Sequence, residues 1–117
     1  MIGFAAGELG PPIQRVIPDG VYVIVSSLNE SKAIDISGSA QTAGAPATLY
    51  DIHGGANQQF FIQQDKQDGC YTILNLNSWK CLGFTGDVSS GAQIFQNDFI
   101  NTDNQKWILK LTTDGYI

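Results

Sequence analysis

The sequence predicts an all-β domain assembled from a repeated unit of four short strands. Two phrases carry that reading: "GANQQFFIQQD" at residues 55–65 and "TDNQKWILKL" at residues 102–111. Both place Asn-Gln, one further residue and an aromatic ring ahead of alternating apolar positions, and no segment keeps a sustained helical period. A third observation supplies the period. "DGVYVIVSSLNESKAIDISG" (19–38) lies over "DGCYTILNLNSWKCLGFTG" (68–86) with one residue lost in the second copy. Asp19 and Asp68 are 49 positions apart and Gln58 and Gln105 are 47 apart, inside the range of about 40 to 50 residues typical of β repeat units.

Taken in order, residues 1–17 have no counterpart in the repeat and read as an arm or linker, with Gly3, Gly7, Gly10 and the pair Pro11-Pro12 arguing against regular structure. This stretch lacks the positive leader and apolar run of a signal peptide, so the expectation is a removed signal or an excised domain. The first copy occupies 18–65. Within it, strands are predicted at 21–26, 33–36, 47–51 and 59–63, the first two forming a hairpin across "LNES". The second copy occupies 66–111, and "DGYI" at 114–117 opens a third within 112–117.

Composition limits the partners. The 117 residues carry a formal charge of −5 with only 6 Lys plus Arg, which is no footprint for nucleic acid and gives little attraction to anionic membranes. Charged residues make up 15%; the abundant Asn, Gln, Ser, Thr and Gly suit hydrogen-bonding surfaces on turn-rich β structure. No apolar run approaches the roughly 20 residues that cross a bilayer.

Positions that stay apolar in both copies are the candidate core: Phe60 with Trp107, Ile24 with Ile73, Ile34 with Leu82, and Ile62 with Leu109. Cys70 and Cys81 align with Val21 and Ala33, so they read as buried free thiols acting as small hydrophobes. The competing reading is a disulfide in an oxidising compartment. With a turn at Asn77-Ser78, Cys81 falls opposite Leu74, roughly 13 Å along the strand from Cys70 at ~3.3 Å per residue. That exceeds the ~7 Å reach of a bridge.

The "DGxY" opening, the "DIS" second strand, the "GAxxxLYD" third strand and the closing Gln-x-aromatic resemble the ricin B-type lectin family. The Gln-x-Trp motif is intact at Gln105-Lys106-Trp107 and altered to Gln58-Gln59-Phe60 in the first copy. The resemblance covers two complete repeats and the start of a third. It implies a β-trefoil, incomplete in this chain, following the N-terminal arm. It further implies a non-catalytic carbohydrate-binding module for galactose-type glycans, secreted or extracellular, needing no cofactor or metal.

A pyranose ring presents C–H bonds on one face and hydroxyls around its edge, so its site needs an exposed aromatic ring and short polar groups. On the family's pattern the first repeat supplies Asp35 as a surface hydroxyl acceptor, Tyr50 as stacking platform, Asn57 as amide partner, and Gln58 bridging to Asp35 or to the sugar. Thr48 stands where many relatives carry Gln. His53, expected in an exposed loop, is a possible ligand contact. The second repeat has Gly83, Phe95 and Asn97 in place of Asp35, Thr48 and Tyr50, and its pocket is expected to be degenerate although Asn104 and Gln105 remain.

Catalytic chemistry finds little support. His53 is the single histidine, neither cysteine is placed to pair with it, and Asp51 follows Tyr50 directly and so faces away from Asp35 and Tyr50. The alternative to a lectin is a β-trefoil protein–protein module such as a protease inhibitor, acting through protruding loops. Because two repeats leave a trefoil barrel open, a companion chain or a homo-oligomer is expected to complete the third lobe.

Overall fold

The β-branched and aromatic run Val21, Tyr22, Val23 and Ile24 favours extended chain. The computed structural model, which describes residues 16–86, 89–113, 115 and 117, places strand β1 at Gly20–Tyr22. Strands β2 (Lys32–Ile36) and β3 (Ala47–Asp51) form an antiparallel hairpin in register from Lys32 opposite Asp51 to Ile36 opposite Ala47. The remaining strands are β4 (Phe60–Gln64), β5 (Tyr71–Asn75), β6 (Cys81–Gly83) and β7 (Phe95–Asn97). Together with β1 they make a five-stranded antiparallel sheet in the order β1-β4-β5-β6-β7. Of the arm predicted at 1–17, residues 1–15 lie outside the described residues. Val16 donates its N–H to the Tyr71 hydroxyl at 2.8 Å, and Ile17 packs against the core.

Two strand expectations are corrected. The segment 21–26 does not form one strand of a local hairpin: β1 pairs with β4, Tyr22 opposite Phe60. Only the end of the segment turns to β2, through a bridge between Val25 and Ala33 and an Ile34 N–H to Ile24 carbonyl bond of 2.8 Å. The second copy also lacks its fourth strand. Trp107 exchanges backbone bonds with Tyr71 at 2.7 and 2.9 Å, and pairing stops there. Its counterpart β4 is held on both sides, by β1 and β5, whereas among the described residues 107–111 has a neighbour on one side only.

The core follows the two-residue period of β4 and β5. Phe60, Ile62, Tyr71 and Ile73 are buried, joined by Ile36, Ala45 and Leu82. Of the expected core set, Ile24, Ile34, Leu109 and Trp107 are only partly buried against this cluster. For Ile34 and Trp107 the physical reason is an apolar recess of about 230 Å³, which they line with Ala47, Ile73, Leu82 and Ile94. Both cysteines are free. Cys81 lies opposite Leu74 and is buried, but Cys70 is only half-buried, because it leaves the Asp68-Gly69 turn at the mouth of β5. Burial pushes both thiols above their ordinary range.

The repeated Asn-Gln phrase is explained by its hydrogen bonds. Each pair sits on a one-turn 3-10 helix, Ala56–Gln58 or Asp103–Gln105, and both glutamines are buried. Asn57 donates its side-chain amide to the Ile36 carbonyl at 3.1 Å, and Asn104 donates to Phe84. Gln58 donates to the Asp51 carbonyl at 2.8 Å and accepts from the His53 N–H at 3.0 Å. Gln105 repeats this with Asp98 at 2.7 Å and Ile100 at 2.9 Å. Each glutamine thus spans the bend that follows a third strand, satisfying backbone groups that no sheet neighbour reaches.

Two outcomes are expected. Gln105→Ala leaves the Asp98 carbonyl and Ile100 N–H without their partner, and should lower stability by about 1 to 3 kcal/mol in urea denaturation. Asp68 is held below the usual carboxylate range first by the hydrogen bond from Lys106, 2.7 Å away, then by the Cys70 N–H. A depressed carboxylate contributes stability that is present above its unfolded pKa and lost as pH falls through its folded one. Asp68→Asn should therefore lower stability at neutral pH, with the difference from the parent shrinking as pH falls below ~4, so that the acid limb of the stability curve flattens.

Candidate functional site

Strand register decides which side chains share a surface. Asp35 lies opposite Thr48 and Ala33 opposite Tyr50, so these four residues occupy one face of the β2–β3 hairpin. Ala33, small and fully buried, leaves room across from the tyrosine ring, which is 58% exposed. Asp51 projects from the other face and pairs with Lys32. The second repeat has the same ion pair, Lys80 with Asp98 at 2.7 Å.

Asp35, expected as a surface acceptor, is instead 4% exposed. Its Oδ2 accepts from the Gln58 amide at 2.9 Å and from His53 Nε2 at 3.3 Å. Both bonds end on one oxygen, which leaves Oδ1 toward the cleft. The cause of the burial is the Gln58 clamp: the amide that closes the loop also needs an acceptor, and the carboxylate of β2 supplies it. Gln58 itself is fully buried and lies behind the cleft, not on its surface.

His53 is more constrained than an exposed loop residue, although its side chain is 43% exposed. The Gly55 N–H donates to Nδ1 at 3.0 Å, so the ring proton sits on Nε2 and is donated to Asp35. The Tyr50 and His53 rings meet edge-on, with centroids 6.2 Å apart. Gly55 is required by this packing: a Cβ there would come within 2.8 Å of the imidazole and of Asn57 Oδ1.

These residues enclose a cleft of about 320 Å³ lined by Asp35, Thr48, Tyr50, His53, Asn57 and the segment Ser37, Gly38, Ser39. That segment was not anticipated as part of the site. Its signal is the "SGS" after β2, where Gly38 at φ 65° and Ser39 at φ 52° turn the chain back over the cleft. The cleft offers an aromatic face, a carboxylate oxygen, hydroxyls and an amide, which suits reversible hydrogen bonding to a polyhydroxylated ligand. No group of three His, Cys, Asp or Glu able to hold a metal occurs among the described residues.

The second repeat shows what the scaffold does without these groups. A cleft of about 270 Å³ survives, lined in part by Phe84, Thr85, Asn97, Ile100 and Asn104. Ile100 occupies the place of His53 and Asn97 that of Tyr50. At Gly83, a Cβ would stand 2.6 Å from the Asn104 carbonyl oxygen, so backbone fills the position of the carboxylate.

Comparison with known proteins fits this architecture. A family model described as ricin-type β-trefoil lectin domain-like matches residues 56–117, just over half of the chain. Flavastacin from Elizabethkingia meningoseptica is 32% identical over 124 residues, covering 97% of this chain and 28% of flavastacin. Among solved structures, the designed 3-fold symmetric protein ThreeFoil is 33% identical with a TM-score of 0.70, covering 76% of this chain and 63% of ThreeFoil. The Macrolepiota procera ricin B-like lectin, solved with lactose, is 22% identical with a TM-score of 0.61, over 74% of this chain and 58% of that lectin. The chain thus spans less than two thirds of the length of each of these relatives. The fold is an all-β, ricin B-like β-trefoil, incomplete in this chain, and the domain is non-catalytic. The chain belongs to the ricin-type β-trefoil lectin domain-like family.

Proposed function

We propose that the domain is a lectin module that binds a galactose-type glycan in the first-repeat cleft. One observation carries this reading: Asp35 is held through Oδ2 by Gln58 and His53, while Oδ1 and the exposed Tyr50 ring face the same 320 Å³ space. In that arrangement Asp35 accepts from sugar hydroxyls, Tyr50 stacks on the C–H face, and Asn57, Thr48 and the Ser37–Ser39 turn offer further polar contacts. Gln58 acts from behind, by orienting the carboxylate. His53 both orients Asp35 and walls the cleft. The proposed setting is extracellular, where such glycans are displayed.

Asp35→Asn keeps the shape and an oxygen for Gln58 but removes the charge. Affinity for lactose in calorimetric titration should fall by roughly 10- to 100-fold, the equivalent of a charge-assisted hydrogen bond of about 1.5 to 3 kcal/mol. Equal affinity in variant and parent would sink the assignment. Tyr50→Ala should weaken binding comparably without unfolding the domain. The first-repeat cleft should take one sugar per pair of repeats, and Asn97→Tyr alone should add no site in the second-repeat cleft, since the Gly83 backbone still excludes a carboxylate.

We also infer that a third repeat, from a companion chain or a further copy, covers the segment 107–111 and the apolar recess beside Trp107. Ile108 and Leu111 are exposed there, and the 63% coverage of a 3-fold symmetric relative matches two units of three. Light scattering should show association of the 117-residue chain. A cooperatively melting monomer would remove this inference.

A further inference from the structure

A second groove lies where the two repeats meet, and it shares no residue with the first-repeat cleft. It has a volume of about 240 Å³ and is lined by Gln63, Gln64 and Asp65 from the end of β4, Thr72 from β5, and Phe99 and Asn101 from the loop after β7. The Phe99 ring is 51% exposed, and Gln63 and Asn101 are exposed beside it. Asp65 gives one oxygen, Oδ1, to the Gln67 N–H at 2.7 Å. Gln64 is committed to the fold through the Gly69 carbonyl at 3.0 Å. The groove thus combines an exposed aromatic face, a carboxylate anchored by one oxygen, exposed amides and a hydroxyl.

The repeat tests whether the fold itself requires these side chains. At the positions equivalent to Phe99 and Asn101 the first copy has Ile52 and Gly54, and Asn101 at φ 56° adopts the left-handed backbone that Gly54 adopts at φ 76°. Glycine meets that turn without strain, so the Asn101 amide is not needed to make it. The residues equivalent to Gln63, Gln64 and Asp65 are Lys110, Leu111 and Thr112, which lack the amides and the carboxylate. Each copy thus forms its scaffold with only part of this chemistry, and the groove combines the two parts where the copies meet.

We propose that this inter-repeat groove is a second saccharide subsite, in which a neutral sugar ring stacks on Phe99 and hydrogen-bonds to Gln63, Asn101 and Asp65. It rests on the reading of the domain as a glycan-binding module but not on the first-repeat cleft. The test is an ¹⁵N NMR titration of the Tyr50→Ala protein with lactose and with maltotriose, following the side-chain amides of Gln63 and Asn101. Both amides should shift progressively with at least one saccharide. Adding Phe99→Ala, or Asn101→Gly as the residue the turn already accepts in the first copy, should weaken that response at least tenfold. Unmoved amides with both sugars, or shifts indifferent to Phe99→Ala, would overturn the proposal. Failure of the first-repeat reading shows separately, as unmoved resonances of Tyr50 and Asn57 in the parent.

Discussion

The buried amide of Gln58 is the interaction on which the first repeat depends. It reaches the Asp51 carbonyl, the His53 N–H and the Asp35 carboxylate, three groups from two parts of the chain. Two of them are backbone groups at a bend where no strand passes close enough to pair. Satisfying them fixes the path from β3 to the 3-10 turn, and so fixes where His53 and Asn57 stand. The third partner makes the same amide part of the cleft's chemistry, because it holds the carboxylate by one oxygen and leaves the other turned outward.

The second repeat separates these two contributions. Gln105 makes both backbone bonds and Asn104 makes its bond to Phe84, yet no carboxylate is present and Ile100 replaces the imidazole. The loop closes without the acceptor, so closure requires the amide and not Asp35. Conversely, with Gly83 in place, the Asn104 backbone approaches to where a side chain would stand. Restoring a carboxylate there would displace the turn that carries the Asn-Gln pair. Loss of the carboxylate from the second-repeat cleft is thereby built into the backbone as well as the side chains.

The incomplete barrel sets a different constraint. The sheet holds Phe60 between two neighbouring strands, while Trp107 has one, and the surrounding apolar side chains remain partly buried. The Trp107 indole still donates to the Leu82 carbonyl at 3.1 Å. Its ring is therefore anchored to β6 although the segment beyond it, 108–111, is unpaired.

What the sequence determined by itself was the repeat, its strand content and the chemical inventory of the first-repeat cleft. Those features are periodic or local: an Asn-Gln-x-aromatic phrase recurs at a fixed interval, and alternation marks β3, β4 and β5. Side-chain facing on β2 and β3 also follows from alternation, which is why Asp51 could be assigned away from Tyr50. Tertiary structure decided the rest. Pairing of β1 with β4 joins residues some forty positions apart, and local reading favoured the nearer partner across "LNES". Burial of Asp35 depended on the reach of Gln58 from another turn, which spacing does not encode. The Ser37–Ser39 wall depended on positive φ angles, and the partial exposure of Trp107 and Ile34 on the apolar recess that separated segments leave between them. Residue type and period specify what a position can do, whereas the distances between separated segments decide what it touches.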